Sequence, residues 1–388
     1  MARAYKIQVL PGDGIGPEVI QEAVKVLEII SGEIQGLDLE FHEFPCGGKY
    51  YLETGVEWPG EAEVFARQEA DAILLGAVGW EIAPGQPVRR KDGQLAGAEV
   101  VLGQRRDLEL YANVRPVKLY PGVPTPLAEK QPADIDFVII RENTEGLYSG
   151  IGKRYGENEP GELAIDVRPI SRMGAERVIR YAGRLAQKRG RGAPKDGKQR
   201  LTCVDKSNVL LGDQLFRQVF EESMKDFPEI EPDYAYVDAW AMWCVRQPEY
   251  YNVVVAPNLY GDIISDLGAA IQGGMGVAAG GNIGDNHAMF EPIHGSAPRH
   301  AGKRRANPTA AILAGKMLLE WLGERHNDHK AMESATIIED AVTTVLKEGK
   351  VRTYDLCKGP YASRKPSTTK QMGTAIRKMI QKTLKERS

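Results

Sequence analysis

Cysteine is scarce: the 388 residues hold only 4, at Cys46, Cys203, Cys244 and Cys357, and no two are closely spaced. That scatter excludes a zinc-ribbon spacing and a disulfide framework, and buried free thiols are expected at all of them. Long apolar runs are missing too. No uncharged apolar run is long enough to form the roughly 20-residue helix that crosses a bilayer, and Met1-Ala2-Arg3-Ala4-Tyr5-Lys6 enters a strand-like segment without an apolar signal core. A cytoplasmic protein with no membrane partner is the expectation. An excess of either charge is also lacking, since 50 basic and 53 acidic residues leave a net charge of -3. Neither nucleic acid nor an anionic membrane is attracted globally, and no basic stripe or aromatic platform suggests a nucleic-acid partner. Recognition of anions must be local.

What is present describes an ordinary globular chain, with 42% apolar and 27% charged residues, long enough for about two domains. Tyr5 to Leu10 reads as a strand, and Pro17 opens a helix with Val19, Ala23, Leu27 and Ile30 on its apolar stripe. Short apolar runs recur at Ala72–Leu75, Phe137–Ile140, Leu201–Val204 and Val253–Ala256, most of them followed by helical patterns such as Val178, Tyr181, Ala182 and Leu185. That alternation implies an α/β architecture with parallel strands. Asn307 and Pro308 are expected to cap and open a helix, glycine from Gly273 to Gly284 reads as a loop that approaches another backbone or lets two domains move, and Gln86–Gly97 reads as a flexible loop.

Two carboxylates, Asp262 and Asp266, stand four residues apart just past the apolar strand Val253–Ala256. The spacing puts both on one face of a helix, where they could clamp Mg²⁺ or Mn²⁺ together with an oxygen-rich substrate. Solvated helix charges are the plainer reading of any such pair, but a strand end feeding a helix is where α/β proteins bind ligands. Arg105, Arg115 and Arg141 each flank an apolar segment. Singly they read as surface ion-pair partners; converging, they would hold a substrate with more than one carboxylate through paired hydrogen bonds. Lys206, in Val204-Asp205-Lys206-Ser207-Asn208, and Tyr148 are the titratable candidates, Lys206 as a general base if burial or nearby cations lower its pKa, and as a solvated lysine otherwise. Gly12-Asp13-Gly14-Ile15-Gly16-Pro17 fails as a dinucleotide fingerprint, because Pro17 stands where a third glycine is needed.

Five motifs in order span nearly the whole chain. They are Leu10-Pro11-Gly12-Asp13-Gly14-Ile15-Gly16-Pro17-Glu18, Arg141-Glu142-Asn143-Thr144-Glu145-Gly146-Leu147-Tyr148, Val204–Asn208, Asn258-Leu259-Tyr260-Gly261-Asp262-Ile263-Ile264-Ser265-Asp266 and Glu291-Pro292-Ile293-His294-Gly295-Ser296-Ala297-Pro298. Together they resemble the β-decarboxylating dehydrogenases, whose members act on isopropylmalate, isocitrate, homoisocitrate, tartrate or D-malate. The resemblance implies a two-domain α/β, isopropylmalate dehydrogenase-like fold with a cleft between domains, not a standard Rossmann fold. It implies an outer cofactor-binding domain from residues 1–110 and 274–388, and a central dimerisation and metal/substrate domain from 111–273. It also implies Asp238, Asp262 and Asp266 as metal ligands and Tyr148 and Lys206 as catalytic residues. Arg105, Arg115, Arg141 and Val101 would bind substrate. Lys206 and Asp238 would reach across from a second subunit, so a homodimer with shared active sites is expected.

The resemblance places His294, Gly295, Ser296, Ala297, Pro298, Arg299, His300, Asn307 and Tyr354 around an NAD or NADP cofactor. Arg299-His300 replaces the acidic residue usual in NAD-preferring relatives, and Tyr354 and Lys358 lie in a segment that serves NADP-preferring ones, so NADP is favoured. Apolar Val101 and Leu102 favour an alkyl group or none on C3 of an (R)-malate-type hydroxy acid, with 3-isopropylmalate first and the other substrates open. Arg89-Arg90-Lys91 reads either as an anion contact or as a solvated loop. A non-catalytic regulatory subunit on the same fold is the alternative of another class, and retention of Tyr148, Lys206, Asp238, Asp262 and Asp266 argues against it.

Overall fold

The computed structural model of the chain describes residues 3–387. It divides into two compact units, one of Met1–Leu110, Leu119–Ala128 and Ala269–Ser388, the other of Tyr111–Lys118 and Glu129–Gly268. Against an expected unbroken central segment 111–273, Leu119–Ala128 groups with the terminal segments. Its ties are both polar and apolar: Arg352 Nη1 donates to the Gly122 carbonyl at 2.7 Å, the Tyr120 hydroxyl donates to Glu339 at 3.0 Å, and Leu119, Tyr120 and Val123 are buried.

In the central unit the strand order is Glu231–Tyr236, Arg200–Asp205, Val253–Ala256, Asp136–Glu142, Ala112–Lys118. The first four are parallel and the last runs antiparallel to Asp136–Glu142. The strands Arg200–Asp205 and Val253–Ala256 are buried at every position, which is why their sequences are continuous runs rather than alternations. The helix Arg172–Arg189 packs on this sheet through Val178, Ile179, Ala182 and Ala186; Ser171 caps it by accepting from the Gly174 amide, and Gly190 ends it in the left-handed region. Parallel strands bring their carboxyl ends to one edge, and here that edge carries Arg141, Lys206, Asp238 and the start of the helix Asn258–Ile271.

The terminal unit has the order Ala279–Ile283, Ala288–Pro292, Ala72–Leu75, Ala4–Leu10, Asp38–Glu43, with only the first pair antiparallel. Against it pack the helices Gly16–Glu33 and Thr309–His326, and on these helices pack His329–Glu348 and Thr369–Arg387. Thr309–His326 is buried on nearly all sides, and Gly315 lets Leu27 come within 3.3 Å of where a Cβ would stand.

Several expectations are corrected. The glycine-rich stretch is not irregular throughout: Ala279–Ile283 is a buried strand, and Gly281 leaves room for the Phe290 ring, whose Cε1 lies 3.0 Å from the position of an added Cβ. Glycine there serves a close approach and not a loop. The helix starts at Thr309, with Pro308 at the N-cap position and the Asn307 side chain accepting from the Thr309 amide at 3.1 Å. Within Gln86–Gly97 a bridge joins Arg89 and Leu95, and Arg90 is ion-paired to Glu57, Asp92 and Glu99. Of the four thiols, Cys357 is only half-buried. In the rejected fingerprint, buried Asp13 accepts from the amides of Gly48, Lys49 and Gly79 at 2.7–2.9 Å. Gly12 and Gly14 hold φ of 75° and 62° against the backbones of Ala77 and Ser296, so the motif is a structural junction.

Candidate active site

The first turns of the helix Asn258–Ile271 assemble one compact cluster. Asp262 accepts from Arg141 Nη1 and, at 2.9 Å, from the Tyr148 hydroxyl. Arg115 approaches Asp262 at 3.6 Å and Asp266 at 3.5 Å. Each arginine is aimed by a neutral partner. Arg141 Nε and Nη2 both donate to Asn258 Oδ1, at 3.0 and 2.8 Å, and its guanidinium lies 5.3 Å from the Tyr148 ring centre. Arg115 donates to Asn113 at 2.8 Å and to the Ser265 hydroxyl at 2.6 Å. Gly261 is required for this packing, since a Cβ would stand 2.6 Å from Arg141 Cβ. Asn258, Asn113 and Ser265 carry no role in the sequence reading; the position of Asn258 at the head of the Asp262 motif is the signal that could have found it.

The guanidiniums are nearly inaccessible, whereas the side chains of Asp262 and Asp266 remain 33% and 50% exposed. Burial, and then the like charge of Asp262 against the pull of Arg115, hold the Asp266 carboxyl above its usual range. An additional cation beside the pair would relieve that penalty. Two half-open carboxylates are hard oxygen donors and suit Mg²⁺ or Mn²⁺, with other ligands supplied from outside this cluster. Asp238 is not one of them within the chain: among the described residues no three His, Cys, Asp or Glu side chains gather as a metal site.

Asp238, in the first turn of the helix Val237–Arg246, instead accepts from Lys206 Nζ at 2.7 Å. That bond holds the exposed Asp238 carboxyl below its usual range. Within the chain Lys206 meets the Asp238 carboxylate and the Tyr236 ring, 5.7 Å away.

In the terminal unit, buried Arg105 donates to Glu291 at 2.9 Å, and Asn282 supports the same oxygen at 2.8 Å. Arg105 follows a π-helical turn, Glu99–Gly103, that leaves Leu102 exposed and Val101 half-buried, a geometry concentrated at functional sites. His294 keeps Nε2 buried and without a partner while Nδ1 stands 3.1 Å from the Gly295 carbonyl; burial lowers its pKa. Gly295 is exposed and Pro298 half-buried, and Ala297 adopts φ 41° before Pro298, a strained conformation for a residue with a side chain. Arg299 is exposed. His300 Nδ1 accepts from Arg305 Nε at 2.9 Å, and the Arg305 guanidinium lies 5.0 Å from the ring centre of Tyr354. Arg305 is a residue the sequence reading missed, although the basic run Lys303-Arg304-Arg305 marks it. Asn307 donates to Asp355 at 2.9 Å.

Residues 6–376 match the family model described as isocitrate/isopropylmalate dehydrogenase. The chain belongs to that family. A 3-isopropylmalate dehydrogenase of Thermobifida fusca is 43% identical over 89% of this chain and 92% of its own length. One from Leifsonia xyli is 42% identical over 97% and 98% respectively. Among solved structures, an isocitrate dehydrogenase from Methylococcus capsulatus superposes with a TM-score of 0.82 at 36% identity, covering 97% of this chain and 99% of the other. A β-decarboxylating dehydrogenase from Thermococcus kodakarensis superposes with a TM-score of 0.74 at 34% identity, over 98% and 97%. As a member of the isocitrate/isopropylmalate dehydrogenase family the chain is a β-decarboxylating dehydrogenase, an oxidoreductase acting on a CH–OH group. Among its described residues no helix is long and apolar enough to cross a membrane.

Proposed function

We propose that the protein oxidatively decarboxylates 3-isopropylmalate, as a homodimer whose subunits share their active sites. The observation that carries this reading is the Arg115–Asp266–Asp262–Arg141–Tyr148 cluster at the carboxyl edge of the central sheet, in a chain 42% identical or more to relatives named for that activity. Arg115 and Arg141, together with Arg105, bind the malate carboxylates by charge-assisted hydrogen bonds. Val101 and Leu102 present apolar surface to the substituent on C3. When bound, Mg²⁺ or Mn²⁺ held by Asp262, Asp266 and the second subunit's Asp238 supplies Lewis-acid stabilisation of negative charge on substrate oxygen, and the nicotinamide supplies the hydride acceptor.

Lys206 accepts the proton of the 2-hydroxyl as hydride leaves C2. The β-keto acid so formed loses its C3 carboxylate as carbon dioxide, and the electron pair left behind is taken up as an enolate. Tyr148 then delivers its phenolic proton to C3. Lys206 and Asp238 act on the site of the neighbouring subunit. Support comes from the apolar surface beside them, where Val209 is 66% and Leu211 81% exposed. The ribbon Gly152–Tyr155 and Leu163–Asp166 is exposed along both strands, and an isolated pair of strands is marginal without something to pack on.

NADP is the preferred cofactor in this reading. Exposed Arg299 is available to a 2′-phosphate, and the residues named around His294–His300 with Asn307 and Tyr354 receive the adenosine. The test is a panel of 3-substituted malates assayed with both cofactors, with and without Mn²⁺. Activity highest on 3-isopropylmalate and lost with a chelator is expected; preference for isocitrate, or turnover indifferent to chelation, overturns the reading. Substituting Arg299→Asp should lower the NADP/NAD ratio of kcat/KM by about tenfold, the worth of one charge-assisted contact, and an unchanged ratio removes Arg299 from the cofactor site.

A further inference from the structure

Asp213 is fully buried, yet it is an acid in a chain segment that the mechanism does not use. One carboxylate oxygen accepts from the backbone amide of Lys206 at 3.0 Å, and the other accepts from Arg168 Nη2 at 2.7 Å. Arg168 in turn stacks on Tyr260, its guanidinium 4.7 Å from the ring centre. Tyr260 precedes Asp262 by two residues in the helix that carries both site carboxylates. A single buried charge therefore grips the turn that presents Lys206 directly and reaches the first turn of the Asp262 helix through Arg168. Its neighbour Asp205 braces the same turn from the other side: it accepts from the Ser207 amide at 2.9 Å and is held by Arg217 at 2.7 and 2.9 Å.

A buried carboxylate satisfied by an amide and a guanidinium is rigid, because moving either partner strands a charge in a low-dielectric interior. We propose that Asp213 is a positioning residue of the reaction, fixing the Lys206 turn and, through Arg168 and the Tyr260 ring it stacks on, registering it to the helix of Asp262 and Asp266. The inference rests on the reading of Lys206 as general base. Asp213 touches no substrate; it acts through the backbone of Lys206.

Three variants of the full-length protein test it, with 3-isopropylmalate, Mn²⁺ and either cofactor. Asp213→Asn should lower kcat on the order of tenfold to a hundredfold, the scale of a misplaced reacting group, with KM for the hydroxy acid little changed. Tyr260→Leu, which removes the ring under Arg168, should show a smaller fall in the same parameter. Since Asp213→Asn leaves Arg168 as a buried unpaired cation and could unfold the chain, the decisive variant is Asp213→Leu with Arg168→Leu. Replacing a buried ion pair by apolar residues restores stability, so kcat should stay low in a protein that melts like the parent. Recovery of kcat together with stability would show a merely structural role and overturn the proposal. Lys206→Met, measured alongside, separates the two layers: if it retains turnover, the general-base reading fails and takes this one with it. If it is dead while the double variant turns over normally, only the role of Asp213 fails.

Discussion

Two parts of the central unit carry functional side chains, and they differ in how complete they are. The Arg115–Arg141–Asp262 cluster is closed: its guanidiniums are aimed by Asn113, Asn258 and Ser265 and are nearly inaccessible. Lys206 and Asp238 form an open pair, Asp238 being 69% exposed and without a third carboxylate, next to uncovered apolar side chains. A single chain can complete the first cluster by itself, because arginines from two neighbouring strands are satisfied by carboxylates of the adjoining helix. It leaves the Lys206–Asp238 pair exposed, which is the half that the proposed dimer would complete.

The sharpest break of that comparison is Lys206→Met. We expect kcat to fall by about 10²–10⁴ with no change in melting temperature, whereas Arg141→Leu should reduce both, since it strips Asp262 and Asn258 of their partner. A Lys206→Met protein that melts early would place the lysine in the folded framework instead. The next test mixes two inactive proteins, Lys206→Met and Asp266→Asn, through refolding. Shared sites should return about one quarter of wild-type activity, because half of randomly formed dimers are mixed and each holds one intact site. No recovery would mean that each subunit works alone. Leu211→Asp puts a charge on the exposed apolar surface and should make specific activity fall on dilution, as sedimentation shifts toward monomer; a concentration-independent assay would free that surface of an interface role.

The smallest effect concerns Asp266. Its carboxyl pKa is raised in the folded chain, so the native state binds its proton more tightly than the unfolded state, and this group subtracts stability as pH rises through the raised value. Asp266→Asn should therefore slightly raise the melting temperature of the metal-free protein at neutral pH, where the parent carboxylate is charged, and abolish the further rise that Mn²⁺ gives the parent. A metal response that survives the substitution would remove Asp266 from the ligand set.

Much of this was legible in order along the chain. Apolar runs located the strands Ala72–Leu75 and Val253–Ala256 to the residue, because a strand buried on both faces tolerates little else. The four-residue spacing of Asp262 and Asp266 was legible because helix geometry is local. The glycine strand Ala279–Ile283 was not, since its reason is Phe290 on the neighbouring strand. Nor was Arg90, whose three carboxylate partners come from Glu57, Asp92 and Glu99.

Sequence alone determined the α/β alternation, the family and the kinds of side chain available to the chemistry, all of which rest on short-range periodicity and on motifs contiguous in the chain. Only the tertiary structure decided which partners those side chains keep. Asp238 turns to Lys206 and not to Asp262, Arg105 is held by Glu291, and Asp213 lies buried beneath the Lys206 turn. The physical reason is that hydrogen bonds and charge pairs act over a few ångströms of space, and residues far apart in the sequence enter that range only once the sheet has brought the ends of its strands to a common edge.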